Sequence, residues 1–176
     1  DPVLDYDAAS GRTYKESAEA VINQIGQGSG VVEWVLETHV HADHLTGAPY
    51  VKECLGGKTG IGANVDKVQE TFKKIFNAED AFATDGSQFD HLFQDGEEFK
   101  IGNLTARVMF TPGHTPACAT YVIGNAACSH PISGPRGAIF PTATRISFMP
   151  LSRRSWPCPT IRSSISVTII CRAGAT

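Results

Sequence analysis

Apolar positions along the chain change period several times, and each change predicts an element. Between residues 14 and 25, Ala18, Val21, Ile22 and Ile25 recur at helical spacing, and Gly26 and Gly28 supply a stop. Val31–Leu36 is a continuous β-branched and aromatic run, VVEWVL, that predicts a buried strand. Residues 45–55 read as a second helix closed by Gly56-Gly57, with Gly47 and Pro49 disturbing its first turn. Residues 58–62 predict a short strand and residues 65–76 a third, amphipathic helix. Asp95-Gly96 is a turn between Phe93 and Phe99, and residues 99–101 and 104–110 alternate as a hairpin about Gly102-Asn103. Thr111-Pro112-Gly113 breaks the second hairpin strand, and residues 117–123 resume as a strand. The opening DPVLD reads as the exit of a strand that begins upstream. With neither an initiator Met nor a basic and apolar leader, an N-terminal fragment is expected. The order α-β-α-β-α-β-β-β, without internal repeats, predicts a mixed sheet with helices packed on it.

Composition narrows this picture. A chain of 176 residues favours one domain with a real core. Its mean hydropathy of −0.11 is that of an ordinary globular protein, and no apolar run approaches the ~20 residues that span a bilayer. Five cysteines (Cys54, Cys118, Cys128, Cys158, Cys171) form no CxxC pair and fit neither a disulfide framework nor a zinc knuckle. Idle thiols point to a reducing compartment, so a cytoplasmic location is expected. Net charge hides a division. Residues 1–127 carry all 18 acids and nine bases, whereas residues 128–176 carry six arginines and no acid. That tail is also rich in Pro and Ser, and so abrupt a shift marks a boundary or something artificial. Its charges are scattered without interleaved aromatics, which argues against a nucleic-acid or membrane arm.

The chemistry concentrates directly after the predicted buried strand. His39-Val40-His41-Ala42-Asp43-His44 places four potential ligands within a few residues. In extended backbone His39 and His41 point to one side, and a loop turning into a helix brings Asp43 and His44 toward the same space. Three histidines and an aspartate are costly to bury unless a metal or strong hydrogen bonds compensate. Imidazole nitrogen and carboxylate oxygen suit Zn²⁺, Fe²⁺ or Mn²⁺. His114, in the turn TPGHTP between two predicted strands, is a preorganised fifth candidate. Thr38, Thr46 and Thr115 are expected either to support the ligands by hydrogen bonds or to cap local turns. His91 is expected at the surface and Cys118 buried. Arg107 and Lys100 could meet an anionic substrate, but nothing in the sequence places them there.

These residues carry a resemblance. Residues 38–44, THVHADH, and residues 111–115, TPGHT, resemble the two histidine motifs of the metallo-β-lactamase superfamily. DPVLDYD, ETHVHADHLTGAPYVKE, IGANVDKVQ, DGSQFDHLFQDGEEFKIGNL and TPGHTPACATYVIG resemble its persulfide dioxygenase and glyoxalase II branch, and within it the bacterial β-lactamase-hydrolase-like proteins and persulfide dioxygenases. The resemblance covers residues 1 to about 127. It implies an α/β (α+β) fold, the metallo-β-lactamase αββα sandwich, here incomplete at its N-terminus and aberrant after about residue 127. It implies metal ligation by His39, His41, Asp43, His44 and His114, with Asp43 also a catalytic residue. The persulfide dioxygenases hold a mononuclear Fe²⁺ with two histidines, matching His39 and His114, and one aspartate. The glyoxalase II relatives hold two metals, with His39, His41 and His114 on one and Asp43 and His44 on the other. There the metals activate the water that cleaves a thioester. Zn²⁺ is therefore the alternative to Fe²⁺. The implied partner is a small thiol substrate, glutathione persulfide or a thioester, with a homodimer as a further candidate and neither nucleic acid nor membrane.

Past residue 127 the resemblance stops. The family's next aspartate and its last histidine turn have no counterpart in GNAACSHP and the sequence beyond. Read in a shifted frame, codons for residues 138–145 permit DFPDGDA, close to the family's DFPGGDA. Those for residues 166–176 permit CHDYLPGGRD, which resembles the final histidine turn. The expected organisation is therefore a partial metal-binding domain over residues 1–127, followed by an out-of-frame translation over residues 128–176. Cys128 and His130 are weak candidates for replacement ligands. Residues 165–171 are apolar and β-rich, an aggregation hazard if left exposed.

Overall fold

The computed structural model describes residues 1–28, 30–40, 45–124, 126–128 and 169–172. The chain runs β1 (Val3–Asp7), β2 (Arg12–Tyr14), α1 (Glu16–Gly26), β3 (Val31–Leu36), β4 (Leu45–Thr46), α2 (Ala48–Leu55), β5 (Lys58–Gly62) and α3 (Val65–Ile75). It continues through β6 (His91–Phe93), β7 (Glu98–Ile101), β8 (Leu104–Phe110), β9 (Ala119–Ile123), β10 (Ala126–Cys128) and β11 (Ile169–Arg172).

Three sheets result. The central one has the order β11-β3-β5-β6, with β3, β5 and β6 parallel and β11 antiparallel on the β3 edge. The second, β10-β9-β8-β7, is an antiparallel meander. A small third sheet, β2-β1-β4, flanks them. Parallel strands are normally buried on both faces, and β3 meets that requirement. On one side Val32 and Val35 pack with Ala18 of α1 and with Ala48 and Val51 of α2. On the other, Leu36 packs with Phe93, Val108, Ala119 and Tyr121, joining the central sheet to the meander. Trp34, Phe93, Phe99 and Tyr121 fill that second interface as a chain of tilted and edge-on rings, with Phe93 and Phe99 centred 4.5 Å apart. The described residues thus stack as helices, sheet and sheet.

The differences from the sequence reading have local causes. The opening segment forms β1, which runs from Val3, after a proline that cannot donate to a ladder, and pairs with β2 and β4. The second helix loses its first turn. Leu45 and Thr46 pair with Leu4 and Val3 as β4, and α2 starts at Ala48 with Pro49 in the first turn, where its missing N–H costs nothing. The hairpin turns at Gly102-Asn103 as expected, Gly102 taking φ +55. The apolar tail segment contributes β11, which covers the β3 edge. His130, Cys158 and most other positions discussed in the tail lie outside the described residues.

Candidate metal centre

β3 ends by delivering residues 36–39 into the core, all of them fully buried, including the polar Glu37, Thr38 and His39. Buried polar groups need partners, and here the partners come from far along the chain. The Thr38 main-chain N–H donates to one carboxylate oxygen of Asp1, and its hydroxyl donates to the other at 2.5 Å. The Asp1 nitrogen donates to the Leu36 carbonyl at 3.1 Å. The Thr38 hydroxyl also lies 2.9 Å from Nδ1 of His39. Asp1, Thr38 and His39 therefore form one hydrogen-bonded line that orients the imidazole.

The facing histidine comes from the other sheet. β8 stops at Phe110, and the turn that follows is closed by Thr111 N–H to the Cys118 carbonyl (2.9 Å) and Gly113 N–H to the Thr115 carbonyl (3.1 Å). Ala119 N–H then donates to the Thr38 carbonyl at 2.9 Å, locking the start of β9 against the histidine segment. The His39 and His114 rings meet edge to face, with centroids 4.9 Å apart at 83°. His39 is fully buried and His114 exposed, so the pair opens to solvent on the His114 side. It stands at the carboxyl end of a parallel strand, where α/β sheets place their ligand sites.

The structure thus brings together two of the five proposed ligands. His41, Asp43 and His44 lie outside the described residues, and among the described residues no group of three or more His, Cys, Asp or Glu side chains is positioned to hold an ion. The two imidazoles fit a borderline divalent metal. They converge from positions 39 and 114, and one has its ring orientation fixed through Nδ1.

The three threonines divide. Thr38 contacts a proposed ligand directly. Thr46 does two things: its hydroxyl donates to Oε1 of Glu37 and accepts Ala48 N–H at 3.0 Å, tying the start of α2 to the end of β3. Thr115 serves its own turn, its Oγ1 lying 3.2 Å from Cys118 Sγ and accepting Ala117 N–H at 3.2 Å. Cys118 is buried, as expected. His91 is partly exposed and lies 2.6 Å from a Glu97 carboxylate oxygen.

Sequence reasoning passed over Asp1, Glu37 and Tyr121. Tyr121, fully buried, donates its hydroxyl to the Glu37 carbonyl at 2.8 Å. Burial pushes the Tyr121 hydroxyl pKa up, and the nearby Glu37 charge adds to the rise. Burial likewise pushes the Glu37 carboxyl up, while Thr46 opposes it. The one available signal was Glu37 itself, an acid closing an apolar strand just before the histidines.

Comparison with known proteins finds relatives for this chain. The chain is 54% identical over 130 residues to a probable metallo-hydrolase of Burkholderia pseudomallei, covering 74% of this chain and 44% of the relative. It is 52% identical to a protein named Glyoxylase B2 of Dictyostelium discoideum, over 71% of this chain and 43% of that one. It is 26% identical to the human mitochondrial persulfide dioxygenase ETHE1, over 52% and 29%. Among solved structures, ETHE1 of Myxococcus xanthus superposes with a TM-score of 0.47 at 22% identity, over 70% of this chain and 48% of that one. The chain spans less than half the length of each of these relatives. Residues 1–127 match the family model described as the metallo-beta-lactamase superfamily, and the chain belongs to that superfamily.

Proposed function

We propose that the chain is the metal-binding part of a metal-dependent enzyme most like an iron-dependent glutathione persulfide dioxygenase. The observation that carries this reading is the meeting of His39 and His114 at the carboxyl end of β3. The hydrogen bond to Nδ1 of His39 supports coordination through Nε2, and Asp1 backs that orientation through Thr38. His41, Asp43 and His44 complete the proposed ligand set, and the family's later aspartate, the third ligand of the iron triad, has no counterpart past residue 127. A mononuclear Fe²⁺ held there would supply open positions for O₂ and a thiol substrate. The protein would act in the cytoplasm on a small thiol, without nucleic acid or membrane, as a monomer or homodimer. None of the described helices is long and apolar enough to cross a membrane.

A second reading, a glyoxalase II-type thioester hydrolase with a dinuclear Zn²⁺ site, is favoured by the higher identity to the Dictyostelium protein. One iron per chain with sulfite formed from glutathione persulfide supports the first reading. Two metals with thioester hydrolysis support the second. Bound metal without turnover of either substrate overturns both in favour of an inactive metal-binding domain. Replacing His39 or His114 by Ala is expected to lower metal content severely in any of these cases, as measured by elemental analysis. The division at residue 127 is tested by the coding DNA across the codons for residues 126–130, where an in-frame reading in independent clones would overturn the frame shift.

A further inference from the structure

The two most exposed large apolar side chains among the described residues are neighbours in sequence. Ile75 and Phe76, at 66% and 64% exposure, close α3, and Phe82 follows a few residues later at 38%. The chain holds this tip in place. Asn77 takes φ +45, the left-handed conformation that reverses a helix end. Ala78 N–H donates to the Lys73 carbonyl at 3.0 Å, and Asn77 N–H to the Lys74 carbonyl at 3.4 Å. Lys73 Nζ then donates to the carbonyls of Asp80 and Phe82 at 3.0 and 3.1 Å, folding that segment back against the helix. The Phe72 and Phe76 rings meet edge to face, centred 5.5 Å apart.

Adjacent apolar side chains fixed in water inside a polar rim mark a contact surface, unlike singly scattered ones. The charges of the rim say what it meets. From Lys73 to Asp80 the sequence KKIFNAED sets two bases before the apolar pair and two acids after it. An anionic lipid surface would attract Lys73 and Lys74 but repel Glu79 and Asp80. A protein face of a single sign meets the same conflict. The partner must present both signs in the opposite order. A second copy related by a two-fold axis near Phe76 does so, its acids facing the bases of the first copy and its bases the acids. Lys74, Glu79 and Asp80 are all exposed.

We propose that the α3 tip, formed by Ile75, Phe76 and Phe82 and rimmed by Lys74, Glu79 and Asp80, is a two-fold interface between copies of this chain. It supplies a surface for the homodimer and holds whichever metal or substrate the chain takes, so its failure leaves the proposed chemistry untouched.

The test is sedimentation velocity of the full chain at low salt, from about 1 to 500 µM, a span that brackets weak contacts. The sedimentation coefficient is expected to rise with concentration to that of a dimer. Phe76→Glu is expected to weaken association at least about 10-fold. Lys74→Glu and Glu79→Lys each set like charges across the axis and are expected to weaken it about 3- to 10-fold, an effect that fades as salt screens exposed charges. Mixed in equal amounts, these two variants regain both opposite-charge pairs and are expected to associate as tightly as the parent. A parent that stays monomeric overturns the interface, and co-sedimentation of that monomer with phosphatidylserine vesicles would assign the tip to a membrane instead. Association unaffected by Phe76→Glu places the contact on another face and overturns it equally. Should Phe76→Glu not fold, a mixture of Lys74→Glu and Glu79→Lys that associates no better than either alone overturns the two-fold register.

Discussion

Tyr121 shows how much one hydroxyl can carry here. Its ring belongs to the core between the sheets, and its oxygen reaches the Glu37 carbonyl just before the histidine segment. Tyr121→Phe keeps the ring and strips a buried carbonyl of its donor. A loss of about 1–2 kcal/mol is expected in urea unfolding, with little change in m-value. A loss below a few tenths would mean that the carbonyl finds another donor. At this scale the sequence was informative where chemistry clusters and silent where partners are distant. Thr38 could be suspected because it adjoins His39. Asp1 could not, since no periodicity or spacing relates an acid at position 1 to a hydroxyl at position 38. Thr46 and Thr115 looked alike in the sequence, yet one ties to Glu37 and the other to its own turn.

Among the elements, the long periodic ones were legible and the short ones were not. α1, β3, β5, α3 and the β7–β8 hairpin follow from apolar spacing and turn residues. β4 and β6, of two and three residues, exist because neighbours supply hydrogen-bond partners, and so short a run carries no period. β5 illustrates the difference between predicting a strand and knowing its packing. KTGIG reads as a strand, but only the structure shows why position 60 is glycine. A Cβ there would lie 2.5 Å from the Phe93 ring and 3.3 Å from Leu36. Phe93 is fully buried among Trp34, Phe99 and Tyr121 and has nowhere to move. Gly60→Ala is therefore expected to cost about 1–3 kcal/mol through overpacking. Thermal unfolding checks this, and an unchanged midpoint would show that β5 can shift away from Phe93.

For the molecule as a whole, acid stability depends in part on Asp90, which joins α2 to the central sheet. It pairs with Lys52 Nζ at 2.6 Å and accepts Thr59 N–H at 2.7 Å. Lys52 first, and then the Thr59 amide, hold its pKa at about 2 against an ordinary 3.8. A lowered carboxylate pKa contributes stability that is fully present above 3.8 and is lost as pH falls toward 2. Because both side chains are partly exposed, solvent screening reduces that contribution to about 1 kcal/mol. Asp90→Asn should accordingly lower stability at pH 6 and converge with the parent near pH 2. Parallel curves across that range would remove Asp90 from the account. The hydrogen bonds that build the histidine site have a kinetic consequence as well. Asp1 reaches Thr38 across 37 positions and Tyr121 reaches Glu37 across 84, so neither bond can form until distant segments have met. Helices should therefore recover first on dilution from denaturant, and competence to capture an ion should return last, in the slowest phase. Stopped-flow Zn²⁺ uptake that kept pace with the far-ultraviolet signal would contradict this order.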